Sequence, residues 1–454
     1  MIDTGRAGGS LPRVVPPRKA RMTSAAQSPH ADTWYNRRSP ASAARPALSG
    51  SAEADVCIIG GGLAGLTTAY ELARAGRRVV VLEAHRVAWG ASGRNGGFCS
   101  PGYSLGFDRI AARVGHEGAI ALHRMSIEGM ELVRTTIRDL GITNADPQCG
   151  VLSAVRYDPG RALQDRRDWL GRTFDYNVDH LDRAALGQHL TTHSYHQALH
   201  DQNAFTFDPL SYARAVAAAT ETTGGRIFEE SPVTTLEGGR GAWVVRAGTG
   251  QVAAPEVVVA TGGYTGPLVP ALKRSFLPIA TYVMLTETAP ELIATAIHTT
   301  SGVGDDRRAG DYYRVVEGGQ RILWGGRITT RTTEPTQISD MMRQTMLATY
   351  PQLAPLKVVT AWSGLMSYAR HLMPQIGRLR SGLWHCTAFG GHGMNTTAIG
   401  GRVLAEAILG TSDRISAFAP FGLEWTGGLA GTAAVQLTYW RYKAMDAWRE
   451  RHSG

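Results

Sequence analysis

Three glycine-rich clusters and one acidic residue hold the residue types and spacings that could do chemistry in this chain. The first, Gly60-Gly61-Gly62-Leu63-Ala64-Gly65, has the G-x-G-x-x-G spacing of a dinucleotide-binding turn. In such a turn Gly60 makes the sharp bend, Gly62 lets backbone amides approach a pyrophosphate, and Gly65 lets the following helix pack closely on the strand. Glu83, followed by Ala84, lies 23 residues after Gly60, near the spacing at which an acid accepts hydrogen bonds from an adenosine ribose. A carboxylate there repels a 2'-phosphate, which argues against NADP. The turn does not by itself separate FAD from NAD. The second cluster, Gly90-Ala91-Ser92-Gly93-Arg94-Asn95-Gly96-Gly97, offers little side-chain bulk and many amides to a flat cofactor. The third, Phe389-Gly390-Gly391-His392-Gly393-Met394-Asn395, stands just before a helical pattern, so its amides could bond a flavin at N1 and the C2 carbonyl.

Each cluster needs a strand and a helix to hold it. Asp55 to Ile59 reads as a short buried strand, Leu63 to Ala75 as an amphipathic helix ending at Gly76, and Arg78 to Leu82 as a second strand that delivers Glu83. At the other end, Leu383 to Ala388 reads as a strand, followed by a helix with Ile399, Val403, Leu404, Ala407 and Ile408 on its apolar face. Between them we expect a helix over 108–140, a strand over 151–157, a helix over 212–220, a strand over 226–236, and a strand over 257–260 that closes on Gly262. The segments 276–286, 311–316 and 321–327 alternate as an antiparallel meander. This predicts an α/β fold: a Rossmann-like domain of the glutathione-reductase type, assembled from 51–148, 205–270 and 371–454, with a second, mainly antiparallel β substrate domain from 149–204 and 271–370.

Composition limits the rest. The formal charge is +9, which raises nucleic acid as a partner. Residues 1–50, however, carry eight basic and two acidic groups, a net of +6, leaving +3 for the other 404 residues. We therefore expect a disordered basic leader over 1–50, a body that is close to neutral, and no nucleic-acid partner. The leader lacks the apolar run of an ordinary signal peptide, and no segment is apolar enough to span a membrane. Four cysteines, Cys57, Cys99, Cys149 and Cys386, form no disulfide framework or zinc spacing, and a cytoplasmic location is expected. The C-terminal 433–450 segment reads as an aromatic-rich helix packed on the body or on a second subunit, so monomer and homodimer both stand.

His193, His196 and His200 would share one side of a helix, but the flanking Thr191, Thr192 and Ser194 read as a turn, and no metal is expected. His392 lies inside the third glycine cluster. Tyr103, Tyr312, Tyr313, Trp324 and Trp362 are candidate pocket walls, and Arg314 and Arg327 are candidates for gripping a substrate carboxylate.

From Trp34 to the C-terminus the chain resembles the D-amino-acid-oxidase-like superfamily of FAD-dependent amine oxidoreductases, the glycine and sarcosine oxidase type. Within it, the chain resembles the gamma-glutamylputrescine oxidase group. Gly90 to Gly97, Phe389 to Met394 and Trp34-Tyr35 carry this most specifically. Support also comes from Asp208-Pro209-Leu210, the 259–263 segment, Asp311 to Arg314 and Trp362-Ser363-Gly364. The resemblance implies non-covalent FAD, its adenosine on Glu83 and Ala84 and its pyrophosphate on Gly60, Gly62 and Gly65. It places the isoalloxazine between Ser92, Gly93, Arg94, Asn95, Gly96 and Gly97 on one side and Gly391, His392, Gly393, Met394 and Asn395 on the other. Val233 and Gly262 would contribute backbone contacts. His392, Tyr313 and Arg314 are the expected catalytic residues, acting on a small amine with O2 as oxidant and peroxide as product. An FAD-dependent dehydrogenase with a quinone or protein acceptor, and an FAD-containing binding module, are the alternatives. Some relatives carry a lysine beside the flavin; the equivalent here reads Leu323, and the chain has only Lys19, Lys273, Lys357 and Lys443. Others tether FAD through a cysteine before a TPDG segment, where this chain reads Ala369-Arg370-His371-Leu372 with no cysteine nearby.

Overall fold

The computed structural model describes residues 32–39, 43–307, 310–330 and 338–452. The elements that build the site, in chain order, are α1 (Trp34–Arg38), β1 (Val56–Ile59), α2 (Leu63–Arg74), β2 (Val79–Leu82), α3 (Phe107–Asp139), β3 (Glu256–Val259), β4 (Phe276–Thr286), β5 (Tyr312–Val316), β6 (Arg321–Thr329), β7 (Val358–Ala369), β8 (Trp384–Thr387), α4 (Gly393–Leu409) and α5 (Gly428–His452).

β1 and β2 are unbroken apolar runs, buried along their whole length, as strands covered on both faces must be. They sit in a six-stranded sheet ordered Gln375–Arg378, β8, β3, β1, β2, Arg226–Phe228. All its pairings are parallel except the antiparallel edge at Gln375–Arg378. Alternation decides what each face touches. Val56, Ile58, Val79 and Val81 pack into one core with α2, α3 and α4. Cys57, Ile59, Val80 and Leu82 point the other way, into a separate core with Trp243, Val245 and Val252 of a four-stranded sheet. The result is three layers: helices, parallel sheet, smaller sheet.

The expected single strand over 226–236 is two strands. Arg226–Phe228 ends on β2, and Val233–Gly239 belongs to the four-stranded sheet. The chain turns between them at Glu230, with a left-handed φ of 49°, just ahead of Pro232, which has no amide to offer a ladder.

β4, β5, β6 and β7 lie in a nine-stranded sheet in the order β7, β4, β6, β5, each antiparallel to its neighbour, as the meander predicted. Its faces are equally divided. Tyr312, Leu323, Val283 and Trp362 meet the first core, whereas Tyr313, Trp324, Tyr282 and Met284 form a second one with Ile338, Met342 and Met346 of the helix Ile338–Thr349. The expected leader over 1–50 is folded where it is described. Trp34 and Tyr35 of α1 are buried, and Ser49–Glu53 is a strand paired with Thr249–Ala254, because two aromatic rings gain more from burial than the short segment loses in entropy.

Candidate active site

The glycine turn between β1 and α2 has the geometry its spacing predicted. Gly60 has φ +111°, and a Cβ there would lie 2.6 Å from the Ala260 carbonyl oxygen. A Cβ on Gly65 would lie 2.0 Å from the Gly60 carbonyl oxygen, so no other residue lets α2 start so close to β1. A Cβ on Gly62 would meet only the Ser92 side chain. Glu83 stands at the end of β2 and accepts from the Gly61 amide at 2.6 Å and the His85 amide at 3.0 Å. Burial pushes its carboxyl above the usual range, against the pull of those amides. Ala84 beside it is exposed. A carboxylate next to a helix N-terminus, tied to the turn itself, is a donor-accepting corner for a ribose.

The segment after Phe228 closes this corner. The Ser231 amide donates to the Glu83 carbonyl at 2.8 Å, and the Glu230 amide to the His85 carbonyl at 2.9 Å, which brings half-buried Val233 alongside. Glu229, 1% exposed, accepts from the Val87 amide at 2.8 Å and the Arg45 amide at 2.9 Å and pairs with Arg86 at 2.7 Å. Nothing in its local sequence marked Glu229 as more than a surface acid.

Most of the second cluster is held by protein contacts rather than left open. Ser92 Oγ accepts from the Leu63 amide at 2.9 Å and so caps α2. Arg94 lies over the Trp89 ring and donates to the Trp89 carbonyl. Asn95 donates to the Ala91 and Ser92 carbonyls and accepts from the Gly97 amide at 2.8 Å. A Cβ on Gly93, Gly96 or Gly97 would collide respectively with the Ala88 carbonyl, the Tyr312 ring and the Phe207 carbonyl. These glycines serve close packing of the loop, and any cofactor contact comes from its backbone.

In the third cluster, Ser104 Oγ accepts from the Gly391 amide at 2.9 Å, and Asn395, buried at the start of α4, donates to the Gly102 carbonyl at 3.1 Å. Met394 is buried, while Gly393 has open space around it. His392 is half-buried at the N-terminal boundary of α4, its ring facing Gly102, with its pKa lowered by burial. Gly262, with φ +52°, follows β3 and also faces open space.

The three expected catalytic residues do not converge. Tyr313 points into the second core, stacked on Trp324 at 4.2 Å, with its hydroxyl 2.6 Å from that of Tyr350. Strand alternation puts its neighbour Tyr312 on the side of the glycine loops instead. Arg314 shares that side, but it is 4% exposed and donates to the Phe207 carbonyl at 3.0 Å and to Tyr35 Oη at 3.3 Å. Its guanidinium anchors protein groups. The side chain of Arg327 lies outside the described residues, and Leu323 is fully buried opposite Arg314.

In their place the fold assembles a wall that the spacing of single residues did not announce. Tyr312 of β5 packs against Gly96, Thr281 of β4 donates to the Gly326 carbonyl at 3.3 Å, and Tyr368 of β7 lies against Gly390 and Gly391. Tyr312, Thr281, Tyr368, Ser104 and His392 are all partly exposed. Burial pushes the Tyr368 phenol up to about 12, and the Tyr312 phenol upward as well. Both shifts favour the protonated phenol, which can donate a hydrogen bond. His193 and His196 lie in a turn region and His200 in a strand, its Nε2 3.1 Å from Ser301 Oγ, so the helix their spacing required is not formed. A cavity of about 440 Å³ lined by Phe107, Asp108, His116, Arg166 and Trp169 opens beside α3 and takes no residue from either loop.

Comparison with known proteins places these features in one context. The family model DAO, FAD dependent oxidoreductase, matches residues 55–407. The gamma-glutamylputrescine oxidoreductase of Escherichia coli (strain K12) is 34% identical over 86% of this chain and 92% of its own length. The probable oxidoreductase OrdL of Haemophilus influenzae is 31% identical over 89% and 94%. Among solved structures, glycine oxidase from Geobacillus kaustophilus superposes with a TM-score of 0.68 at 18% identity, covering 82% of this chain and 99% of that one. L-amino acid deaminase from Proteus myxofaciens gives 0.68 at 18%, covering 84% and 95%. At these identities the superpositions speak for the fold.

Proposed function

The chain belongs to the DAO family of FAD-dependent oxidoreductases, and on that premise we propose that it oxidises the C–N bond of an amine or amino acid, with a gamma-glutamylputrescine-like compound or a secondary amine as substrate. The observation that carries this reading is that the match at 34% identity spans 86% of this chain and 92% of its relative, too much to leave out either the dinucleotide half or the substrate-side sheet. The residues present fit the cofactor: the turn at Gly60, the acid Glu83 and the capped N-terminus of α2 form a cradle in which a Cβ on Gly60 or Gly65 would strike backbone. Glu83 would hold the ribose, Gly62 and the first amides of α2 the pyrophosphate, and the backbones of Arg94 to Gly97 and Gly391 to Gly393 the isoalloxazine. Bound there, FAD supplies an acceptor for hydride. No cysteine occurs between Leu365 and Leu383, which supports a non-covalent cofactor.

The protein's own part is positioning and desolvation. Tyr312, Thr281 and Tyr368 orient the substrate through hydroxyls that stay protonated. An aromatic, partly buried wall favours the neutral amine, whose lone pair must be free before hydride can leave the adjacent carbon. His392, its pKa lowered, stands uncharged beside the glycine loop and adds no positive charge to repel an ammonium. We assign O2 as the oxidant, the imine hydrolysing to an aldehyde or ketone.

The test is to purify the protein, precipitate it with acid, and screen amines under air. Flavin released into the supernatant and peroxide formed with gamma-glutamylputrescine or a secondary amine are the expected results. Bleaching of the flavin under anaerobic conditions without peroxide under air would make it a dehydrogenase instead. Absence of bleaching with every amine would remove the enzymatic reading.

A further inference from the structure

Two successive carbonyl groups of the Gly90 to Gly97 loop are each held by a side chain distant in sequence. Trp362 Nε1 of β7 donates to the Arg94 carbonyl at 2.9 Å, and Tyr35 Oη of α1 donates to the Asn95 carbonyl at 2.8 Å. The two rings meet edge to face, 6.1 Å apart at 71°. Peptide planarity gives this arrangement a consequence, because the N–H of a trans peptide points opposite to its C=O. Pinning the Arg94 carbonyl turns the Asn95 amide away from Trp362, and pinning the Asn95 carbonyl turns the Gly96 amide away from Tyr35. The same loop reaches α2 through Asn95, which bonds the Ser92 carbonyl, and through Ser92, which caps the Leu63 amide.

Tyr35 is itself rigidly placed, although α1 has only five residues and is too short to be stable alone. Trp34 Nε1 donates to Glu317 Oε1 at 2.8 Å, beyond the end of β5. Thr33 caps the Asn36 amide at 3.2 Å, and Ser39 meets Ser211 at 3.0 Å. Arg314 donates to Tyr35 Oη from the other side. The helix is thus fastened both to the substrate-side hairpin and to the helix Pro209–Thr222.

We propose that α1 is a clasp on the flavin loop, with Tyr35 a positioning residue that, together with Trp362, fixes the Asn95 and Gly96 amides as donors toward FAD. The proposal rests on the FAD reading above and adds a component that precedes β1 in the chain. Loss of the Tyr35 hydroxyl frees the Asn95 carbonyl, lets that peptide turn, and removes the orientation of the Gly96 amide.

The experiment compares the full-length wild type with Tyr35→Phe and, as a control, Tyr176→Phe. Tyr176 is also buried, and its hydroxyl bonds Asp201 at 2.7 Å and no residue of Gly90 to Gly97. Apoprotein of each is titrated with FAD, and thermal unfolding and the visible spectrum of the bound flavin are recorded. Tyr35→Phe should weaken FAD binding about tenfold and displace the flavin bands, while Tyr176→Phe lowers thermal stability and leaves both unchanged. Wild-type affinity and spectrum in Tyr35→Phe, or equal weakening in the two variants, would overturn the clasp. A wild-type apoprotein that takes up no FAD would overturn the reading beneath it, and this one with it.

Discussion

At the scale of single residues, Glu83 and Tyr312 carry the most direct tests. Burial raises the Glu83 pKa, so the protein without cofactor holds its proton more readily than an exposed glutamate does. Donors from a ribose favour the charged form and lower that pKa in the complex. FAD affinity should therefore be flat at pH values above the raised pKa, fall as pH drops through it, and be accompanied by proton release on binding in that window. Titration calorimetry in two buffers of different ionisation enthalpy measures the release. Glu83→Gln should remove it and cost about tenfold in affinity. Tyr312, kept protonated by burial, has no titration to contribute near neutrality. In kcat/KM the acid limb then belongs to the substrate amine, and activity rises with pH as the ammonium deprotonates. Tyr312→Phe should keep that limb while raising KM severalfold, and a limb that vanished in the variant would make Tyr312 the base. Glu83 was legible from spacing alone, because a glycine turn and a strand of known rise fix its distance from the turn. Tyr312 was one name among several, since the choice between it and Tyr313 depends on which face of β5 meets the loops, and that face is set by β6.

At the scale of elements, the strand, turn and helix from β1 to α2 form the unit whose sequence and geometry agree most closely. Gly65→Ala would drive a methyl into the Gly60 carbonyl, and α2 would have to move. Overpacking of this kind costs about 1–3 kcal/mol, and here the displaced amides are also those assigned to the pyrophosphate. A lower urea midpoint together with purification free of flavin is the expected outcome; full flavin content with only a lower midpoint would separate packing from binding. The glycine loop from Gly90 to Gly97 taught a different lesson. Its composition suggested amides open to a ligand, yet Gly93, Gly96 and Gly97 answer to the Ala88 carbonyl, the Tyr312 ring and the Phe207 carbonyl. No pattern within eight residues could reveal partners such as Phe207 and Tyr312, which lie more than a hundred positions away. Similarly, the apparent strand over 226–236 satisfied local alternation, and only the turn at Glu230 assigned its halves to different sheets.

At the scale of the whole molecule, the nine-stranded sheet separates two tasks. Its loop-facing side bears Tyr312, Trp362 and Arg314, and its far side bears a buried ionic cluster in which Asp305 pairs with Arg156 at 3.0 Å and with Arg307 at 2.5 Å. Asp305→Asn removes the buried carboxylate that Arg156 and Arg307 share, leaving Arg307 its pairing with Asp311, and should cost about 3–5 kcal/mol of stability. Because the cluster faces away from the loops, FAD affinity measured below the unfolding transition should stay within twofold of wild type; a large loss would show that the two faces are coupled. α5, expected to pack on the body or on a second subunit, leaves Leu437, Trp440 and Trp448 more than half exposed, and it meets the body where Gln436 accepts from Thr329 and Thr330 and where Arg449 lies over the Tyr157 ring. No helix among the described residues is long and apolar enough to cross a membrane. The sequence by itself determined the dinucleotide turn, the acid at the end of β2, the buried strands that flank them and the family. Each depends on contacts within about thirty residues or on apolar runs that only a doubly covered strand tolerates. Only the tertiary structure decided that Tyr35 bonds the Asn95 carbonyl while Arg314 bonds Tyr35 and the Phe207 carbonyl, and that Tyr313 enters the second core while Tyr312 faces the glycine loop. Those roles follow from register and strand pairing, where a shift of one residue exchanges every side chain between two faces.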